Sequence, residues 1–324
     1  MRYRDPLLEF IGSTHVNKYM MSIHDIVESL ISNIEGRNNL EPLCRDYSCM
    51  VLSKILLGHP GPFENISEAV DFYSEWVVKA AQHRPLTAKE KEKLEPSLRT
   101  FRNEIDKVIE LATHKAPHTE YVQSLLSNPG YTSVQIKAIL IILFFAGQET
   151  SSSLLTHLLW QLAKHPSIQK ELSCELEKIA DEVIKKEQNE STDISHGKIL
   201  KAQLESGKLN RALMEALRLF NSAYAINCEA AEDLVYIVKK SDEVVYKKFV
   251  PKGTAFFSCP FLAGRNPFKY AKPEQFKPDR FEAEGQSRSM SWLPFGFGKH
   301  ACPGSGWLFW KSSYLSSVCS KIMK

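Results

Sequence analysis

The sequence predicts a mainly α-helical domain with a minor β part, and three observations predict it. The first half of the chain repeats apolar residues at i, i+3 and i+4, the period of a helix buried on one face. An unbroken helical pattern of over thirty residues then runs from Thr132 to His165. After Ala223 the texture changes to short β-branched pieces separated by proline, glycine and aromatic residues.

The elements follow in order. Ile23 to Ile34 places Ile26, Val27, Leu30, Ile31 and Ile34 on one face. Tyr47 to Leu57 repeats the pattern with Met50, Val51, Ile55 and Leu56, and His59-Pro60-Gly61-Pro62 breaks it. Ser67 to Ala81 reads as a third helix. Within Leu86 to Lys115, the charged stretch around Lys89–Glu95 reads as a solvated turn joining helices. The long helix begins at Thr132, which forms a capping box with Gln135, and Pro166 marks its end. At about 1.5 Å per residue it crosses a whole domain. Being apolar nearly all round in its first half, it should be buried there. Ile168 to Lys186 is another helix, polar Lys185–Lys208 reads as a surface insertion, and Leu209 to Phe220 is helical again. Val235–Val238 and Val244–Val250 read as strands, and Pro251-Lys252-Gly253-Thr254 turns the chain into Ala255–Ser258. With no internal repeat or low-complexity linker, residues 1–324 read as a single domain.

Composition narrows the function classes. The 324 residues are 43% hydrophobic and 24% charged, ordinary for a soluble globular protein. A formal net charge of +3 is too small to imply a nucleic-acid partner. The seven cysteines are odd in number, scattered and without a CxxC pair, which argues against a disulfide framework and for a reducing compartment. The charged start, Met1-Arg2-Tyr3-Arg4, is unlike a signal peptide. The longest apolar run, Ala138 to Gly147, falls short of the ~20 residues a membrane span needs, so no transmembrane helix is expected.

Four blocks carry chemistry. In Phe295-Gly296-Phe297-Gly298-Lys299-His300-Ala301-Cys302-Pro303-Gly304, one cysteine sits in a glycine-rich loop, with Pro303 at a first helical position. That places the sulfur at a helix N-terminus, where free N–H groups and the dipole favour negative charge. Taken alone it reads better as a turn with a buried structural cysteine. Ala146-Gly147-Gln148-Glu149-Thr150-Ser151 puts an acid and an alcohol into the middle of the apolar helix. It is either a hydrogen-bonded pair at a helix distortion or a proton-delivery pair. Glu215 and Arg218 are neighbours three apart on a helix, alone an ordinary surface salt bridge. Phe276-Lys277-Pro278-Asp279-Arg280-Phe281 sets an arginine in a proline and aromatic loop.

Jointly, and in this order, with Arg280 lying 22 residues before Cys302, these blocks resemble the cytochrome P450 family. The match includes its oxygen-activating helix, its ExxR helix, its Pro-x-Arg-Phe segment and its FxxGxxxCxG loop. The resemblance implies the P450 fold and a haem b whose iron is held by Cys302, with Phe295, Gly298, His300 and Gly304 shaping its surroundings. It implies that Thr150, helped by Glu149, manages oxygen and protons, and that Glu215, Arg218 and Arg280 form a structural network. It further implies electrons originating from NAD(P)H, delivered by a reductase or ferredoxin, and a monomer that inserts one oxygen atom into a small apolar substrate. Lys299 and Lys311 flank the loop, either as contacts for an acidic electron donor or as solvated surface residues.

The sequence also departs from the family. His300 stands where an arginine usually meets a haem propionate; it is either a substitute for that arginine or a surface residue. Phe220-Asn221-Ser222-Ala223-Tyr224 replaces a proline-rich stretch and resembles sterol-metabolising branches, which points to a sterol or fatty-acid-like substrate. Sequence matching the early helices, the first sheet and the closing hairpin is not found, so the fold is expected to be incomplete. In a eukaryotic member the missing N-terminal part would anchor the parent at the endoplasmic reticulum; otherwise the location is cytoplasmic. The rival readings are a haem-thiolate isomerase or peroxygenase and a catalytically inactive truncated form. Phe72–Ala81, Phe144–Phe145 and Ala223–Ile226 are nominated as substrate contacts.

Overall fold

A computed structural model describes residues 19–32, 39–58, 85–114, 120–189, 196–223, 225–240, 243–282 and 292–305. The expected helix Ser67–Ala81, the His59–Pro62 break and the substrate nominees Phe72–Ala81 lie outside them. What is described is mainly helical, with two small antiparallel sheets.

The first three helices are α1 (Met20–Ser32), α2 (Leu40–Leu57) and α3 (Ala88–Thr113). α2 starts well before Tyr47, because the Asn39 side chain accepts the Glu41 N–H and caps it there. At α3 the structure corrects the expectation of a turn at Lys89–Glu95. Thr87 and Glu90 form a reciprocal capping box, so the charged residues are the solvated first turns of a helix that continues through Pro96. Its buried stripe, Phe101, Ile105, Val108 and Ala112, is spaced at helical period.

After α4 (Glu120–Ser127) comes α5 (Ser133–Lys164), opened by the Thr132–Gln135 capping box. The expected burial of its first half holds on one face only, at Ile136, Ile139, Leu140 and Phe144. Val134 and Ile142 in the first half are exposed at 73% and 55%, while Leu154, Leu155, Leu158, Leu159 and Leu162 in the second half are buried. The first half faces one core, made with α1 to α4. The second half is sandwiched between that core and another, which Leu154, Leu158 and Leu162 share with α6 (Pro166–Asn189) and α8 (Gly207–Leu219). By length and composition α5 is long and apolar enough to cross a membrane, which the run from Ala138 to Gly147 does not reveal. In this fold it is the wall between two cores.

α7 (His196–Leu204) replaces part of the surface insertion expected at Lys185–Lys208. Gln203 is buried and its Nε2 donates to Leu176 O at 3.0 Å, so α7 is docked on α6. Beyond α8, β1 (Ile226–Glu229) pairs antiparallel with β4 (Ala255–Ser258), and β2 (Leu234–Lys240) with β3 (Glu243–Val250). The β2–β3 ribbon exposes Val235, Tyr236, Ile237, Tyr246 and Phe249, whereas β1 sits against the site described next. A single helical turn, α9 (Pro260–Ala263), follows.

Candidate functional site

α8 buries Leu209, Ala212, Leu213, Ala216 and Leu217, and its buried face also carries Glu215 and Arg218 at 0% and 2% exposure. They are therefore not a surface pair. Arg218 Nε and Nη2 donate to the two Glu215 oxygens at 2.7 and 2.8 Å. Arg218 Nη1 donates to Gly264 O and Pro273 O, each at 2.7 Å. Arg280 Nε donates to Glu215 Oε1 at 3.1 Å, and its Nη1 and Nη2 donate to Ala271 O and Lys272 O at 2.6 and 2.7 Å. The Lys277 N–H adds a bond to Glu215 Oε1 at 2.8 Å. Buried charges are tolerable only when paired and hydrogen-bonded this fully. Gly264 lies so close that an added Cβ would come within 2.5 Å of the Arg218 carbonyl oxygen.

A chain of contacts leads from this knot to the cysteine. Beside Arg280, the Phe281 ring packs edge-on to Trp292 at 5.6 Å between centroids, and Trp292 packs on Phe295 at 6.4 Å. Trp292 Nε1 donates to Met214 O at 3.2 Å, pinning it to α8. The Phe295 carbonyl then accepts the Cys302 N–H at 2.7 Å, closing the loop. Between them Gly296 and Gly298 take φ values of 66° and 67°, the left-handed region that glycine enters without a steric penalty. Cys302 itself is exposed. A Cβ at Gly304 would lie 3.7 Å from its sulfur, an ordinary van der Waals contact. The helix expected to start after Pro303 reaches the edge of the described residues at Ser305.

The middle of α5 contributes to the same site. An added Cβ on Gly147 would approach Leu52 Cδ2 to 2.9 Å, so glycine lets α2 and α5 pack closely. Thr150 Oγ1 donates to Ala146 O at 2.7 Å, and Ser222 Oγ donates to Thr150 O at 2.9 Å, tying the turn after α8 to α5. Sequence reading missed Ser222, because a hydroxyl in a turn gives no hint of a partner 72 residues away.

Between these parts lies a cavity of ≈ 530 Å³, within the ~300–1,000 Å³ range of small-molecule and cofactor sites. Its walls are Leu52, Ile55 and Leu56 of α2, Ala146, Gly147, Thr150 and Ser151 of α5, and the turn Asn221–Ala223 with Ile226 and Cys228. The loop from Leu293 to Phe297, with Cys302, Pro303 and Gly304, completes the lining. Of the residues singled out in the sequence, Thr150, Phe295, Cys302 and Gly304 meet here, as do the nominees Ala223 and Ile226. Glu149 and Gly298 do not line it, and the His300 side chain lies outside the described part. Phe144 is corrected outright: it is buried in the α1–α4 core, with its ring 5.4 Å from that of Phe101.

The cysteines divide by environment. Cys44, on α2, is fully enclosed; burial pushes its thiol up to about 11, against a smaller opposing pull from a Thr156 hydrogen bond. Cys302 faces the cavity. Among the described residues no three His, Cys, Asp or Glu side chains cluster to hold a free metal ion. A porphyrin supplies its own four nitrogens and needs one axial ligand from the protein. One open sulfur in the lining of an apolar cavity that a hydroxyl-bearing helix also lines fits such a group.

Comparison with known proteins gives the same direction. A family model described as Cytochrome P450 matches residues 18–306. Cytochrome P450 3A9 of Rattus norvegicus is 28% identical over 239 residues, covering 73% of this chain and 40% of its own length. Cytochrome P450 6B6 of Helicoverpa armigera is 29% identical over 207 residues, 62% of this chain and 36% of the relative. Cytochrome P450 3A2 of Rattus norvegicus is 32% identical over 181 residues, 55% of this chain and 32% of the relative. The chain thus spans less than half the length of these curated relatives.

Proposed function

Because the chain belongs to the cytochrome P450 family, we propose that it is the haem-binding part of a monooxygenase acting on small apolar, sterol or fatty-acid-like molecules. The observation that carries the reading is the shared cavity, which Cys302 and Thr150 both line. In this reading Cys302 would hold the haem iron through its sulfur, and Phe295, Gly298 and Gly304 would keep its loop open to the flat ring. His300 would take a propionate. A haem bound there supplies reductive activation of dioxygen, one oxygen atom going to the substrate and one to water, with electrons passed from NAD(P)H by a reductase or ferredoxin.

The chain's own residues hold, orient and exclude. Leu52, Ile55 and Leu56 give an apolar substrate a dry wall. The Thr150 hydroxyl, with its proton engaged by Ala146 O, keeps lone pairs that accept a hydrogen bond from a group in the cavity. Rotation about its Cα–Cβ bond frees that proton for donation, while Glu149, on the adjacent helical position, does not line the cavity. Glu215, Arg218 and Arg280 touch nothing in the cavity; they hold the loop's support.

The test is a reduced carbon-monoxide difference spectrum of the full chain reconstituted with haem, beside Cys302→Ala. A strongly red-shifted Soret band that disappears in Cys302→Ala supports thiolate ligation and warrants a screen of apolar substrates. A folded, haem-exposed chain giving no such band is not a working monooxygenase.

A further inference from the structure

A second cavity, of ≈ 360 Å³, lies toward the opposite end of α8, where α6, α8 and the Pro278–Phe281 turn meet. Its inner surface is apolar: Leu172, Ala212 and Phe276 are buried, and Ile168 and Pro278 complete it. Four cations line it, Lys208, Arg211, Lys277 and Arg280, against two acids, Glu171 and Asp279, an excess of two positive charges. Lys208 already meets Glu171 at 2.9 Å, and Arg280 is engaged by Glu215. Arg211 differs. Its Nε is closed off from solvent and has no hydrogen-bond partner among the described residues. That nitrogen is turned away from the open cavity, which the rest of the Arg211 side chain lines with no ion pair among the described residues, and a guanidinium cannot shed its charge. The end of α8 does not supply the attraction, because Ser206 Oγ and Glu175 Oε1 already accept the Leu209 and Lys208 N–H groups.

We propose that this cavity binds a small oxyanion with a short apolar tail, an alkyl carboxylate or a phosphate monoester. Arg211 and Lys277 take the head group, and the tail lies over Leu172 and Phe276. A planar guanidinium matches the paired oxygens of such a head group, and charge-assisted bonds of this kind are about twice as strong as neutral ones. The apolar floor favours a ligand with a tail over a bare ion. Neither Cys302 nor the large cavity takes part, so this site stands or falls independently of haem binding.

Hexanoate and hexyl phosphate are the probes, with hexan-1-ol and inorganic phosphate as controls, titrated into the full chain without haem. Because hexanoate also fits the large cavity, the readout is local: the Arg211 Nε–Hε resonance, assigned with Arg211→Lys. The expected result is a saturable shift with one or both tailed anions, a weak response to inorganic phosphate and none to hexan-1-ol. Calorimetry should show binding about tenfold weaker or worse in Arg211→Gln, with unchanged circular dichroism. Lys277→Gln should lose less, about two- to threefold. An unmoved Arg211 resonance in the folded chain, an equal response to hexan-1-ol, or unaltered affinity in both variants overturns the proposal. Inorganic phosphate acting as strongly as the tailed anions overturns the role of the apolar floor. Should Arg211→Gln not fold, the resonance in the native chain and Lys277→Gln still decide.

Discussion

The support of the cysteine loop and the cavity in front of it treat polar groups in opposite ways. In the support, Glu215 and Arg218 are buried, and one carboxylate receives four N–H groups, from Arg218 Nε and Nη2, Lys277 N and Arg280 Nε. In the cavity, Cys302 is exposed and Thr150 spends its proton on its own helix. The difference teaches where rigidity and reactivity reside. A saturated charge network is expensive to disturb and chemically idle, so it fixes geometry for a sulfur left open to react. Substitutions behind the loop should therefore cost folding, and substitutions in front should cost chemistry.

The largest effect expected is at the centre of the network. Glu215→Ala leaves two guanidiniums without their carboxylate and should destabilise the chain by about 3–5 kcal/mol in urea denaturation. Cys302→Ala, on the cavity side, should stay within about 0.5 kcal/mol of the native stability. Equal losses at the two positions would break the contrast.

A second test uses alkaline pH. The Cys44 thiol, raised from 9.0 to about 11 by burial, keeps its proton in the folded chain after the unfolded chain has lost it. Its stabilising contribution is whole below pH 9 and is lost as pH rises toward 11, on the order of 2–3 kcal/mol. Tyr19, raised to about 12 chiefly by burial, acts in the same direction above pH 10. Denaturation at pH 8 and 10.5 should show this fall, and Cys44→Ala should flatten it; an unchanged slope in that variant would remove Cys44 as its source.

The third test compares two glycines. Gly264→Ala drives a Cβ into the Arg218 backbone and should cost about 1–3 kcal/mol. Gly147→Ala meets only the flexible end of Leu52 and gains helix propensity, so its net effect should be below about 1 kcal/mol. Thermal melts of the two variants separate backbone from side-chain crowding. The smallest effect belongs to the exposed pair Arg45–Glu41 at 2.7 Å, where Arg45→Gln should move the melting midpoint by an amount equivalent to about 0.5 kcal/mol or less.

Much of the architecture was legible because its causes are local. The Thr132–Gln135 box, the Pro166 stop, the β-branched runs and the turn at Pro251–Thr254 each act within a few residues. The helical start of α3 is equally local, but the charge run at Lys89–Glu95 masks the Thr87–Glu90 capping box beside it. What could not be read depends on distant partners. The spacing of Glu215 and Arg218 is the same on a surface helix as in a core. Only the carbonyls of Gly264, Pro273 and Gln275, brought in from far along the chain, make burial possible. The same holds for α5, whose apolar first half looks buried until one sees that only the second half has a core on both sides.

The position of Trp292 has an optical consequence. Its indole is clasped between Phe281 and Phe295, and Phe295 also forms part of the cavity wall. A pigment absorbing in the near ultraviolet or violet and lodged beside that wall would drain the emission of Trp292 by resonance energy transfer. The chain contains four other tryptophans, so the difference in quenching between the native chain and Trp292→Phe would isolate this signal. The molecule thus carries its own fluorescent gauge of occupancy.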